Sequence, residues 1–182
     1  MSGNRTSPEI STPSLILRHF VPEESAEVYR LSCEDSWRTW LPSQVYREEA
    51  HAREVLEYLA AQCRVPGDPR LGPYVLGIEH REDRALVGHV GFSPFDDDVE
   101  IGFSMAQAYQ GRGLMAEAVS AACRWAFRVF ALHSIVGVTA AGNVGSQKTL
   151  MRAGFTSEPD RVIPFQGVEQ VVRIFRLGSP LR

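Results

Sequence analysis

The segment Tyr109-Gln110-Gly111-Arg112-Gly113-Leu114-Met115 has the residue types that hold a phosphate-rich anion. Glycines at 111 and 113 let the backbone approach an anion closely and turn successive N–H groups towards it. A helix predicted to begin here adds unpaired donors and the positive end of its dipole. Arg112 adds a full charge, and a diphosphate suits the set. The same glycines could serve only a strand-to-helix turn, and on the glycines alone the two readings stand level. The Walker pattern is not met, because Leu114-Met115 stands where Lys-Ser or Lys-Thr is needed. The dinucleotide fingerprint is not met either, since Glu117 falls near its third glycine position.

Other chemistries find little support. The cysteines Cys33, Cys63 and Cys123 are odd in number and widely spaced, so they frame no disulfide scaffold. No His/Cys cluster has ligand spacing; His19, His51, His80 and His133 stand apart, and no metal is expected. His89, between Gly88 and Val90 on a strand, reads as structural. The cysteine usage fits a reducing compartment and predicts a cytoplasmic protein. A net charge of -3 and a pI near 6.0 do not suggest a nucleic-acid partner. The polar opening MSGNRTSPEISTPS has no signal-peptide core, and no apolar run approaches bilayer length, so no membrane association is expected.

The 182 residues suit one domain with a core of its own. Residues 1–13 read as a disordered lead and 14–178 as that domain. Leu15, Ile16, Leu17 and Phe20 predict a first strand. Pro22 with Glu23 and Glu24 opens a helix to about Cys33. Glu34–Ser43 reads as an irregular loop carrying Trp37, Trp40 and Pro42, and a second helix covers Glu48–Gln62. The period then changes from helical to alternating. Tyr74–Ile78, Leu86–Phe92 and Val99–Met105, joined by short turns, predict an antiparallel meander. A helix follows from about Arg112, with Met115, Ala118, Ala122, Trp125 and Val129 as its buried stripe. Next come a strand Ser134–Ala140, a helix Val144–Ala153 closed by Gly154, and strands near Phe155–Ile163 and Val168–Leu177. The class is α+β.

Gln110-x-x-Gly113-x-Met115 after the strand Glu100–Met105, followed by Asn143-x-x-Ser146 and Gly154-Phe155, resembles the Gcn5-related N-acetyltransferase (GNAT) superfamily. The branch it is most similar to is that of ribosomal-protein N-terminal acetyltransferases. The likeness runs from about Leu15 to Leu177, and Met115 departs from the family's small residue at the end of the loop. The resemblance implies a mixed, mostly antiparallel sheet of about seven strands with helices on both faces. It also implies a splay between the fourth and fifth strands, Val99–Met105 and Ser134–Ala140. Acetyl-CoA would be the co-substrate. Its pyrophosphate would lie on the N–H groups of Gly111, Arg112, Gly113, Leu114 and Met115 behind Gln110. Its pantetheine arm would lie in the splay, paired with backbone near Phe103 and Met105 and held by Asn143.

Acyl transfer to an amine needs a base, a donor for the developing oxyanion and an acid for the leaving thiolate. Glu100 is the first candidate base. It lies on the face opposite Val99, Ile101 and Phe103, where Gly102 and Ser104 leave space, and an exposed strand carboxylate is the competing reading. The family's thiolate acid is a Tyr where Leu150 stands. Ser146 is then the nearest hydroxyl, with a helix-start hydrogen bond as its competing role. Glu169 is a weaker second base. Trp37, Arg38 and Trp40 fall near the family's acceptor loop. The expected activity moves an acetyl group to a primary amine, either a protein N-terminus such as a ribosomal protein's or a small molecule. A non-catalytic acyl-CoA-binding module on the same fold is the alternative. The resemblance admits a homodimer.

Overall fold

The computed structural model describes residues 9–64 and 67–180. The elements run β1 (Ile10–Ser11), β2 (Leu15–Arg18), α1 (Ser25–Ser32), α2 (Asp35–Trp40), α3 (Glu49–Arg64), β3 (Tyr74–His80), β4 (Leu86–Phe95) and β5 (Asp98–Met105). There follow α4 (Leu114–Phe130), β6 (Ser134–Ala140), α5 (Val144–Arg152), β7 (Thr156–Ser157), β8 (Arg161–Phe165) and β9 (Val168–Gly178). The strands form one sheet in the order β1-β2-β3-β4-β5-β6-β9-β7, with β8 on β9. Every pairing is antiparallel except β5 with β6.

Alternation along the strands sends side chains to two faces. Val99, Ile101 and Met105 of β5 enter one core with Leu114, Ala118, Ala122 and Phe127 of α4 and Leu150 of α5. The opposite face carries a smaller cluster in which Phe20 and Leu86 meet Val28 of α1 and Ala52 and Leu56 of α3. Helices thus cover both faces, as the resemblance implied. No described helix is long and apolar enough to cross a membrane.

Several expectations are corrected. The sheet has nine strands rather than about seven. Part of the difference is the final segment, where Thr156–Ser157 and Arg161–Phe165 pair separately with β9. Ile10–Ser11, read as part of the disordered lead, pairs with Ile16 and Leu17; residues 1–8 lie outside the described residues. Glu34–Ser43 is not an irregular loop. Asp35–Trp40 is helical and puts Trp37 inward, 3% exposed, beside Leu31 and Ala106. On α4 the buried stripe passes through Leu114, Ala118, Ala122 and Phe127, while Val129 is half exposed. The helix begins at Leu114, two residues after the expected start, and near its end Phe127 rather than Val129 faces inward. Trp125 rests against Tyr74 and Phe130 at the edge of the core.

Candidate active site

β5 and β6 run parallel and are joined by the pair Glu100–Val136. Beyond it no further pair is formed, and the strands diverge towards Met105 and Ala140. Below the fork Asp98 is held by Ser134 Oγ at 2.7 Å and by the Arg176 guanidinium at 2.9 Å, which clasps the start of the two strands. The gap is the expected splay. It opens into a cleft of about 800 Å³ lined by both strands, the Tyr109–Met115 loop, the start of α5 and the β8–β9 turn.

The loop that closes one end of the cleft is built by local geometry. Gly111 and Gly113 have φ of +77° and +81°, a left-handed conformation that side chains resist. Nothing lies within 4 Å of a Cβ built on either, so the backbone there is bare towards the cleft. Gly113 is the N-cap of α4, and the first N–H groups of that helix have no intrahelical partner. Gln110 Nε2 donates to Met105 O at 2.8 Å and ties the loop to the end of β5. Tyr109 Oη donates to Asp83 Oδ2 at 2.5 Å and ties it to the β3–β4 turn. This bond, with those from the Ala85 N–H and His80, holds the Asp83 carboxyl down at about 2.

Of the predicted residues, Glu100, Phe103, Met105, Gln110, Gly111, Gly113, Leu114, Met115, Asn143 and Ser146 all line this one cleft. The Arg112 side chain does not. Its guanidinium donates to Ala108 O at 3.2 Å and lies 5.6 Å over the Tyr109 ring. Asn143 caps α5, its Oδ1 accepting from the Ser146 N–H at 3.1 Å. Trp40 lines the cleft, whereas Arg38 is exposed and outside it and Glu169 is exposed on β9 opposite Pro164. Leu150 is 1% exposed, and a Cβ on Gly137 would stand 2.7 Å from it. It is a core residue packed onto β6.

Glu100 shares its sheet face with Val136, Val138, Phe95, Ile163 and Phe165, an apolar cluster. Burial there pushes its carboxyl up to about 7. Sequence reasoning missed Thr139, which lines the cleft with a buried, unpartnered Oγ1, and Ser36 Oγ, which is likewise unpartnered. A hydroxyl in the apolar run that follows Ser134 in the strand SIVGVTA was the available signal for Thr139. Lys148 and Arg152 bring positive charge to the rim.

A family model described as an acetyltransferase (GNAT) domain matches residues 14–156. The Bacillus subtilis (strain 168) protein named "Probable N-acetyltransferase YjcK" is 32% identical over 117 residues, 62% of this chain and 61% of that protein. The chain therefore aligns with somewhat under two thirds of that relative. Among solved structures, the ribosomal alpha-N-protein acetyltransferase RimL in complex with coenzyme A superposes with a TM-score of 0.79 at 17% identity, covering 94% of this chain and 98% of that one. The microcin C7 self-immunity acetyltransferase MccE, in complex with acetyl-CoA and AMP, gives 0.78 at 18% identity, covering 92% and 94%. At these identities the superpositions show a shared fold.

Proposed function

The chain belongs to the GNAT acetyltransferase family, and from that premise we propose that it moves the acetyl group of acetyl-CoA to a primary amine, with Glu100 taking the amine's proton. The observation that carries this reading is a carboxylate desolvated to a pKa of about 7 at the fork of the sheet. A base poised near the working pH is suited to an amine nucleophile.

The residues present fit the co-substrate. The bare backbone at Gly111 and Gly113 and the open N-terminus of α4 suit a pyrophosphate. Arg112 contributes its backbone N–H and stiffens the loop over Tyr109, in place of the direct charge expected from sequence. Diverging strands leave Phe103 and Met105 without a β6 partner, although Met105 O is taken by Gln110, and an extended arm bearing amides can add there as a strand would. The Asn143 Oδ1 is committed to the helix cap, so its amide nitrogen is the group left for that arm.

In the reaction the neutral amine attacks the thioester carbon, forming C–N as C–S breaks. The amine proton passes to Glu100, directly or through water. A backbone N–H near Phe103 or Ser104 donates to the carbonyl oxygen as it becomes negative. The C–S electron pair leaves on sulfur as the coenzyme A thiolate, which takes its proton from water, and the Ser146 hydroxyl of the same cleft can donate a hydrogen bond to it. RimL, as a ribosomal alpha-N-protein acetyltransferase, supports a protein N-terminus among the candidate acceptors. The free Cys33, Cys63 and Cys123 support a reducing, cytoplasmic setting.

The test is thiol release from acetyl-CoA at pH about 8, where α-amines are partly neutral, across N-terminal peptides and small amines. Release with at least one amine, lowered about a hundredfold or more in Glu100→Gln, is expected. Tight acetyl-CoA binding with no release to any amine would favour a non-catalytic module instead.

A further inference from the structure

A second cavity, of about 220 Å³, lies under α1, α2 and α3. Phe20, Val28, Leu31, Tyr46 and Leu56 contribute apolar wall, and no Asp, Glu, Lys or Arg lines it. Its polar side chains include Gln44, Trp37, whose buried Nε1 has no hydrogen-bond partner, and His89. The ring sits 5.3 Å from that of Trp37, and no described residue hydrogen-bonds it. Burial holds it neutral, with its pKa pushed down to about 4. A neutral imidazole presents one donor and one acceptor, so both remain for a ligand.

The cavity adjoins the active cleft. Gln44 lines both, and the register places both on one face of the sheet. Ser93, Gly91 and His89 of β4 stand across from Glu100, Gly102 and Ser104 of β5. Between Glu100 and Ser104 the floor is Gly102, with nothing within 4 Å of a Cβ built there. Four residues of strand set His89 about 13 Å along that floor from Glu100.

We propose that this cavity is a subsite for the acceptor: it takes an uncharged, apolar arm of the amine, one that carries an amide or hydroxyl to meet His89 and reaches about 13 Å from the reacting nitrogen. The assignment rests on the acetyl-transfer reading above. A charged arm would lose hydration without gaining an opposite charge in this wall. The shared Gln44 and the bare floor at Gly102 place the occupant within reach of the same acceptor.

An extended chain of four residues spans about 13 Å, so the probes are the peptide amides Ala-Ala-Ala-Phe and Ala-Ala-Ala-Asp, with alanine amide as a short acceptor. Phe at the fourth position should raise kcat/KM over Asp by roughly tenfold or more. Val55→Trp and, separately, Leu59→Trp fill the cavity from α3. Each should abolish that preference while leaving alanine amide turnover and acetyl-CoA affinity intact, the latter reporting the fold. Equal rates for the Phe and Asp peptides in the wild type, or a preference that survives both fillings, would overturn the subsite. If no amine is acetylated, calorimetric binding of the Phe peptide to the CoA-loaded protein decides separately. Binding lost in both filled variants supports the subsite; no binding to the wild type removes it.

Discussion

Glu100 stands directly beside Val136 in the pair that joins β5 to β6, and the sheet parts immediately beyond them. The carboxylate is thus at the inner end of the cleft and on the apolar face formed with Phe95, Ile163 and Phe165. One placement explains both its access to the gap and its raised pKa.

Replacing Glu100 by Gln should lower kcat/KM by about a hundredfold or more, the usual contribution of a positioned base. In the wild type, kcat/KM should climb with the amine's own deprotonation and carry a further limb near pH 7 as Glu100 ionises. That limb should vanish in the variant, leaving the ionisation of the amine itself. A pH–rate profile on one amine checks this.

Stability should move the other way. The folded pKa of Glu100 lies above the usual carboxylate value, so between about pH 4.5 and 7 the folded state binds more protons than the unfolded one. Stability therefore falls as pH rises through that window. Glu100→Gln should be more stable than wild type at pH 8, by up to about 2 kcal/mol, and nearly equal at pH 4. Urea unfolding at the two pH values measures the difference.

At Gly113, with φ of +81° and open space around a built Cβ, an added side chain costs conformational strain and meets no clash. Gly113→Ala should lose roughly 1–2 kcal/mol and weaken acetyl-CoA binding, while Gly113→Asn should lose less, because Asn tolerates the left-handed region. Thermal melts paired with calorimetric titration of CoA separate the two effects.

Leu150→Tyr tests whether the family's phenol can simply be restored. Leu150 is buried against Gly137, so the larger ring overpacks the α5–β6 contact and should destabilise by about 1–3 kcal/mol. No gain in turnover is expected. A faster, equally stable variant would show that α5 can yield and that the thiolate had lacked an acid.

The loop should loosen when its anchor is removed. Tyr109→Phe deletes the bond to Asp83, and the Asp83 carboxyl should climb from about 2 towards its ordinary range. The KM for acetyl-CoA should rise severalfold with little change in kcat. Steady-state kinetics on both substrates, with NMR titration of the carboxyl, reads both consequences.

What the sequence determined by itself is local chemistry. Gly111 and Gly113 announce a backbone turned outward, Asn143 and Ser146 a helix start, and alternation through Val99–Met105 a strand with Glu100 on the opposite face from Val99 and Ile101. Each depends on neighbours within a few residues, so each is written in the chain. The helix Asp35–Trp40 escaped because its short, polar-aromatic run has little periodicity of its own and forms around the burial of Trp37. Tertiary structure alone decided that the Arg112 side chain turns onto Tyr109. It also decided that Thr139 faces the cleft and that His89 opens into a separate apolar cavity. The charge state of Glu100 belongs with these. Desolvation is set by Val136, Val138, Ile163 and Phe165, which reach Glu100 only when β6 and the β8–β9 hairpin fold beside β5, and no pattern near residue 100 encodes their arrival.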